Sequence, residues 1–287
     1  MHIVSDRAMD LMPEQLEGLE IHQVPLMLTL DGRSYRSGVD IQPDDFYRLL
    51  AASTGYPTTS QPSAGDFADL YRRLAATDPD ILSIHISSGL SGTVNAALAG
   101  ATMVPEAHVT VVDTRTLSGA QGWQVQAAAR AAKAGWDKGR ILALLQRIAA
   151  ATDTLYTLQT LKYLIHGGRI SHIKGLLASV LDIKPLIGVE KERGTYVQVG
   201  QARTLPSALA RIPEQIARRH APGSRLRLQI LHGHNPEGAN ALRELLDALY
   251  DCVWLPTGPI APVLGAHTGP GLVGVAYAPE ETFAEVP

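Results

Sequence analysis

The chain has one cysteine, Cys252, among 287 residues. A lone thiol excludes an internal disulfide framework, and its apolar neighbours Val253 and Trp254 predict a buried structural thiol. Net charge is also small. Lys and Arg number 25 against 28 Asp and Glu, leaving −3, so there is no basic footprint for nucleic acid. No apolar run approaches the ~20 residues that cross a bilayer. The opening "MHIVSD" lacks the charged and apolar regions of a signal peptide. These absences predict a soluble cytoplasmic protein with no nucleic-acid partner and no stable membrane insertion. Apolar residues, by contrast, make up 45% of the chain and charged ones 18%. That is enough to bury a core, and the length suits one large domain or two ordinary ones.

The first half alternates strand and helix patterns. "HIVSD", "ILSIHIS" and "HVTVVD" read as strands, and "VPLMLTLDGRSYRSGVD" as a hairpin turning at Asp31-Gly32. Phe67, Leu70, Tyr71 and Leu74 mark one helical face, as do Ile141, Leu144, Leu145 and Ile148. "GWQVQAAARAAKAG" is a helix closed by Gly135. Strands separated by helices predict a parallel α/β sheet. The second half changes pattern. "YVQVGQAR", "RLRLQILHG" and "GLVGVAYAP" alternate as half-buried antiparallel strands do. Two helices interrupt them. One carries Leu205, Leu209, Ile212 and Ile216, with Pro206 in its first turn and a kink expected at Pro213. The other carries Leu242, Leu245, Leu246 and Leu249. The expected architecture is therefore α/β in two domains. Residues 1–155 form a parallel-sheet domain and residues 156–287 a domain with an antiparallel sheet, with a ligand cleft between them.

Several polar loops are candidates for that cleft. "ISSGLSGT" follows a strand and opens a helix. Unpaired helix N–H groups and the macrodipole favour an anion there. Gly89 and Gly92 permit positive φ and close approach, and Ser88, Ser91 and Thr93 supply hydroxyls. No lysine is present, which excludes a lysine-bearing P-loop. The same stretch resembles a nucleophile elbow with Thr93 in the last glycine position. Asp113 and His267 follow in hydrolase order, so a serine acyl-hydrolase using Ser91 and His267 is an alternative. "YPTTSQPSAGDF" displays Thr58, Thr59, Ser60 and Gln61 on a loop stiffened by Pro57 and Pro62. Ser63 and Asp66 there have capping-box spacing. "GAHTGPG" reads as a loop carrying His267 and Thr268. In "LIHGGRISHIKG" the paired glycines end a helix, and Arg169 offers a planar fork for carboxylate or phosphate. His232 and His234 lack acidic or thiol company, so no metal is expected.

Taken in order, "PTTSQPS", "ILSIHISSGLSGT", "VTVVDT", "KYLIHGGRIS", "IKPLI", "QAR" and "GAHTGPG" resemble the DegV family over nearly the whole chain. These are fatty-acid-binding subunits of bacterial fatty acid kinase. The resemblance implies a non-catalytic subunit holding one long-chain, palmitate-like fatty acid in a tunnel between two α/β domains. It further implies a separate kinase with a dihydroxyacetone-kinase-like domain that makes the acyl phosphate, and no cofactor in this chain. It also implies that Thr59, Ser91 and His267 bind the carboxylate, joined by Thr268 and the backbone N–H groups of Ser60 and Gly92. Arg169 and Arg203 match basic positions at the site mouth, and Arg203 matches the position for kinase contact. The family's "TDST" is here "SDRA", Ser5 to Ala8, so two hydroxyls are replaced. Energetically, burying about fourteen methylenes at ~0.8 kcal/mol each yields roughly 11 kcal/mol gross. Ordering takes back several kcal/mol. The shortage of aromatics, 5%, suits an aliphatic tunnel as well as an ordinary core.

Overall fold

The computed structural model describes residues 1–172 and 183–287. The N-terminal half builds β1 (His2–Asp6), α1 (Pro13–Leu16), β2 (His22–Val24), β3 (Met27–Leu30), β4 (Arg33–Arg36), α2 (Pro43–Ala52), β5 (Thr58–Ser60), α3 (Ala64–Ala75), β6 (Asp80–His85), α4 (Thr93–Thr102), β7 (His108–Asp113), α5 (Ser118–Lys133) and α6 (Lys138–Ala151). Four strands form a parallel sheet in the order β2-β1-β6-β7. Alternation along β1 and β6 sends Val4 and Ile81 toward α3 and α4, and Ile3, Leu82 and Ile84 toward α5 and α6. The expected stripes are the buried ones: Phe67, Leu70, Tyr71 and Leu74 of α3, and Ile141, Leu144, Leu145 and Ile148 of α6. The Ser63–Asp66 box closes as its spacing predicts, with Asp66 N–H donating to Ser63 Oγ at 3.1 Å and Ser63 N–H to the Asp66 carboxylate at 2.8 Å. A small antiparallel sheet, β4-β3-β5, includes the predicted hairpin.

The C-terminal half adds β8 (Asp153–Thr157), α7 (Lys162–His166), β9 (Lys184–Val189), β10 (Tyr196–Ala202), α8 (Leu205–Ile216), β11 (Arg225–His232), α9 (Pro236–Asp247), β12 (Asp251–Trp254), β13 (Gly258–Pro259), α10 (Pro262–Thr268) and β14 (Val273–Pro279). Its sheet runs β10-β9-β8-β14-β11-β12, antiparallel from β10 through β11, while β12 and β13 lie parallel to β11. β8 opens this sheet, so residue 155 falls inside a strand of the second half. α8 and α9 cover one face with Leu209, Ile212, Leu242 and Leu246.

Several expectations need correction. Of the strands expected to be half-buried, β10 is so, with Val197 and Gln201 exposed, but β11 is mostly buried and β14 is buried at every position but its last. Helices cover one face, and the N-terminal half covers the other, where α5 packs against β14. Leu245 and Leu249 of the predicted helical stripe are exposed, and Leu249 lies beyond α9. Cys252 is half-buried on β12 at the sheet edge. Burial, then the nearby Asp247, pushes its thiol up to about 12, which leaves little thiolate at neutral pH. The chain end returns to the first half, where Phe283 packs edge-on against Trp123 with ring centroids 5.4 Å apart. Among the described residues, no helix is long and apolar enough to cross a membrane.

Candidate functional site

The Ser87–Gly92 turn rests on a buried polar network. Asp6, at the end of β1, accepts from Ile86 N–H at 2.9 Å and contacts His85 Nδ1 at 3.1 Å through the same oxygen. Its other oxygen accepts from Ala8 N–H at 2.9 Å and Gln121 Nε2 at 3.1 Å. Burial opposes ionisation of Asp6, but His85 and the two backbone donors outweigh it and hold the carboxyl below its usual range. The chain of contacts continues from His85 Nε2 to Ser83 Oγ at 2.7 Å and on to Tyr71 OH at 2.8 Å. Asp6 thereby fixes where β6 ends and the turn begins. Ser83, His85 and Ser87 alternate with Leu82, Ile84 and Ile86, yet all three polar side chains are fully buried. Of the "SDRA" residues, Arg7 donates to Gly38 O at 2.7 Å and Ala8 is buried.

The turn is also held from above. Ser87 Oγ donates to the carbonyl of Gly194, in the β9–β10 connection, at 2.8 Å. Gly89 has no positive φ, contrary to expectation. Its role is close approach, since a Cβ there would lie 2.4 Å from Arg193 O. Gly92 likewise has a φ of −75° and is the N-cap of α4, with no side-chain cap. Ser88 donates to Asp113 at 2.5 Å. Ser91 Oγ sits 2.8 Å from Thr93 Oγ1 and accepts weakly from Thr93 N–H at 3.3 Å.

Thr59 and His267, 208 residues apart in sequence, meet with Oγ1 and Nε2 separated by 2.7 Å. Two sequence expectations change here. Thr58–Ser60 is a short strand paired to β3, not a loop. His267 lies in the last turn of α10, not in a loop. The glycine that argued against a helix, Gly265, is required by packing: a Cβ there would lie 2.8 Å from both Phe46 and Tyr47 side chains. Gln61 bridges the loops, lying 3.1 Å from where a Gly92 Cβ would stand. Thr59 and His267 are thus in direct contact, and Gly92 faces Gln61, two residues along from Thr59. Arg169 follows α7 in a 3-10 turn, donates to Gly167 O at 2.7 Å, and acts on His267 through its charge. Arg203 is exposed just past β10 and, among the described residues, shares no hydrogen bond with these groups.

His267 is 9% exposed. Burial, seconded by Arg169, lowers its pKa to about 4, so the imidazole is neutral at pH 7 with a single N–H. Nδ1 is buried with no hydrogen-bond partner among the described residues. Gly167 makes room for it, because a Cβ there would fall 2.1 Å from Nδ1. The hydrolase arrangement is not assembled: Asp113 is taken by Ser88 and Arg115. Among the described residues, no carboxylate orients His267. His232 Nδ1 accepts from Asn235 N–H at 3.2 Å, and His234 stacks on Tyr47, so the "HGH" pair serves local packing.

From His267 and Thr268 a cavity runs between the two halves. Leu117 and Ser118 at the start of α5 form one wall, Tyr156, Leu231 and Ala276 of the second sheet another, and Leu264 of α10 a third. Its volume is about 530 Å³, part of it open to solvent. Its lining is mainly apolar, with Leu117, Tyr156, Leu231, Ile260, Leu264 and Leu272 around it. Sequence reasoning did not find Tyr156, whose buried hydroxyl has no partner among the described residues. No local pattern marks it, since it is simply one inward position on β8.

The profile of the DegV family, described as uncharacterised proteins, matches residues 1–280. A DegV domain-containing protein of Deinococcus radiodurans is 36% identical over 277 residues, covering 96% of this chain and 95% of its own. One of Staphylococcus aureus is 33% identical over 273 residues, covering 95% and 96%. Among solved structures, a DegV family protein from Thermus thermophilus, described for its fatty acid binding, superposes with TM-score 0.87 at 31% identity, covering 97% of this chain and 99% of that one. DegV of Bacillus subtilis, described as a fatty acid binding protein, gives TM-score 0.87 at 27% identity with coverage of 97% and 99%.

Proposed function

This chain belongs to the DegV family, and on that premise we propose that it binds one long-chain fatty acid and presents the carboxylate to a separate fatty acid kinase. The carrying observation is the cavity that ends at His267 and Thr268, beside Thr59. The aliphatic tail would lie against Leu117, Leu231, Leu264 and Ala276. The driving force is removal of methylenes from water at ~0.8 kcal/mol each. The head group would be held by Thr59, Ser91, His267, Thr268 and the N–H groups of Ser60 and Gly92. Several donors are needed there because a carboxylate taken from water without partners is costly. A neutral imidazole supports this role by adding a donor without a competing counter-ion. Arg169 lies close enough to His267 to add favourable charge at the mouth.

The chain's part in phosphoryl transfer would be positioning, with nucleotide and chemistry supplied by the kinase. Arg203, exposed beyond β10, is assigned to kinase contact. The division into lobes 1–155 and 156–287 belongs to this reading, and sheet membership supports moving it to the start of β8. Gentle solvent extraction of the purified chain followed by mass spectrometry tests the proposal. A long-chain fatty acid at about one per chain is expected. Lipid-free protein that also refuses added palmitate would overturn it.

A further inference from the structure

The far end of the parallel sheet, away from the Ser87–Gly92 turn, carries side chains that the lipid-binding reading leaves unused. His2 opens β1, and His22 opens β2, the edge strand. The register pairs Val4 with His22, so His2 and His22 stand on one face as diagonal neighbours. Their rings meet edge-on with centroids 5.2 Å apart. Glu20 lies just before β2, with Oε1 3.4 Å from His22 Nε2. One ligand atom from each of the three residues lies within 4.8 Å of the others, and among the described residues no other trio of His, Cys, Asp or Glu does so.

We propose that His2, Glu20 and His22 form a binding site for a zinc-class divalent cation. Two imidazoles and one carboxylate, with a fourth position left to water, are a ligand set that zinc accepts. Tetrahedral ligands at ~2.0–2.1 Å from the ion stand about 3.4 Å apart, which is the His22–Glu20 separation. His22 Nε2 is buried and makes no hydrogen bond among the described residues. His2 Nε2 lies 2.9 Å from Thr77 Oγ1. Ligation through Nδ1 keeps that contact as the outer hydrogen bond that fixes a ligating imidazole. Arg73 is the opposing charge, on an exposed side chain. Imidazole ligands select zinc over magnesium. The ion would clip the edge strand to β1 at the base of the 7–21 segment, which carries Asp10 toward the lipid cavity.

The test uses the full chain freed of metal with a chelator, titrated calorimetrically with zinc chloride and separately with magnesium chloride, alongside thermal unfolding. One zinc ion per chain is expected, with a melting midpoint that rises with zinc concentration, and no response to magnesium. His22→Ala and Glu20→Gln should each weaken zinc binding at least about tenfold and leave fatty acid binding unchanged. Absence of zinc binding, or wild-type affinity in both variants, overturns the site. Should a variant fail to fold, anomalous diffraction at the zinc edge from soaked wild-type crystals decides. A peak bounded by the three side chains supports the site, and peaks only elsewhere refute it.

Discussion

Acid should weaken the fold through His267 and strengthen it through Asp10, and variants separate the two. The His267 imidazole falls from the ordinary 6.5 to about 4, chiefly because it is buried and secondarily because Arg169 is near. In the unfolded chain the ring takes a proton as pH falls through 6.5, while in the native state it stays neutral until about 4. A group with a depressed native pKa contributes stability above its unfolded value and loses it as pH falls toward the native one. From pH 7.5 to pH 4 that loss is about 3 kcal/mol. Asp10 has the opposite sign. Burial raises its carboxyl from 3.8 to about 7, although Ser118 and the Ala261 N–H pull the other way. Its contribution is present at low pH and disappears as pH rises through about 7, which amounts to about 4 kcal/mol over the same range. The wild-type profile therefore partly cancels. Urea unfolding of delipidated wild type, His267→Gln and Asp10→Asn at pH 4, 5, 6 and 7.5 resolves it. The stability gap between wild type and His267→Gln should shrink by about 3 kcal/mol between pH 7.5 and pH 4. The gap to Asp10→Asn should move by about 4 kcal/mol in favour of wild type. A pH-independent His267 gap would show that the ring titrates as in water, and the reasoning about a dry head-group end would fail.

Gly167→Ala places a methyl group where His267 Nδ1 stands. It should cost about 1–3 kcal/mol in urea unfolding and weaken fluorescent fatty acid binding; unchanged affinity would remove His267 from the site. Asp6→Ala leaves Ile86 N–H, Ala8 N–H and His85 without their shared acceptor. It should cost about 3–5 kcal/mol, read as a lowered urea midpoint, whereas a wild-type midpoint would mean that Asp6 does not hold the turn. Ser91→Ala should reduce fatty acid affinity with the fold intact by circular dichroism. Arg203→Ala should keep that affinity and slow acyl-phosphate formation by the cognate kinase; equal rates would take Arg203 out of the contact.

Helices α3 and α6 were readable because their stripes are local and each buried residue repeats at helical spacing. The parallel sheet of the first half followed from alternating strands and helices, and the DegV motifs carried the family. The failures lie where distant packing overrides local preference. Packing against Phe46 and Tyr47 of α2 requires a glycine at 265, so Gly265 did not mark a loop: Gly265–Thr268 close α10, and Gly269–Gly271 lie beyond it. The second face of β14 is covered by α5 of the other half, so its alternation carried no information about exposure. Ser87 and Gly194 interlock across 107 residues, a contact no spacing rule contains. The Asp6–His85–Ser83–Tyr71 chain joins β1, β6 and α3. Each member taken singly resembles an ordinary strand or helix residue.

A crystal structure of the chain loaded with palmitate tests the central claim most directly. The expected density is an extended tail along Leu117, Leu231 and Leu264, with its carboxylate within hydrogen-bond distance of Thr59, Ser91 and His267. A tail bound elsewhere, or one inserted with its methyl end against His267, would contradict the claim.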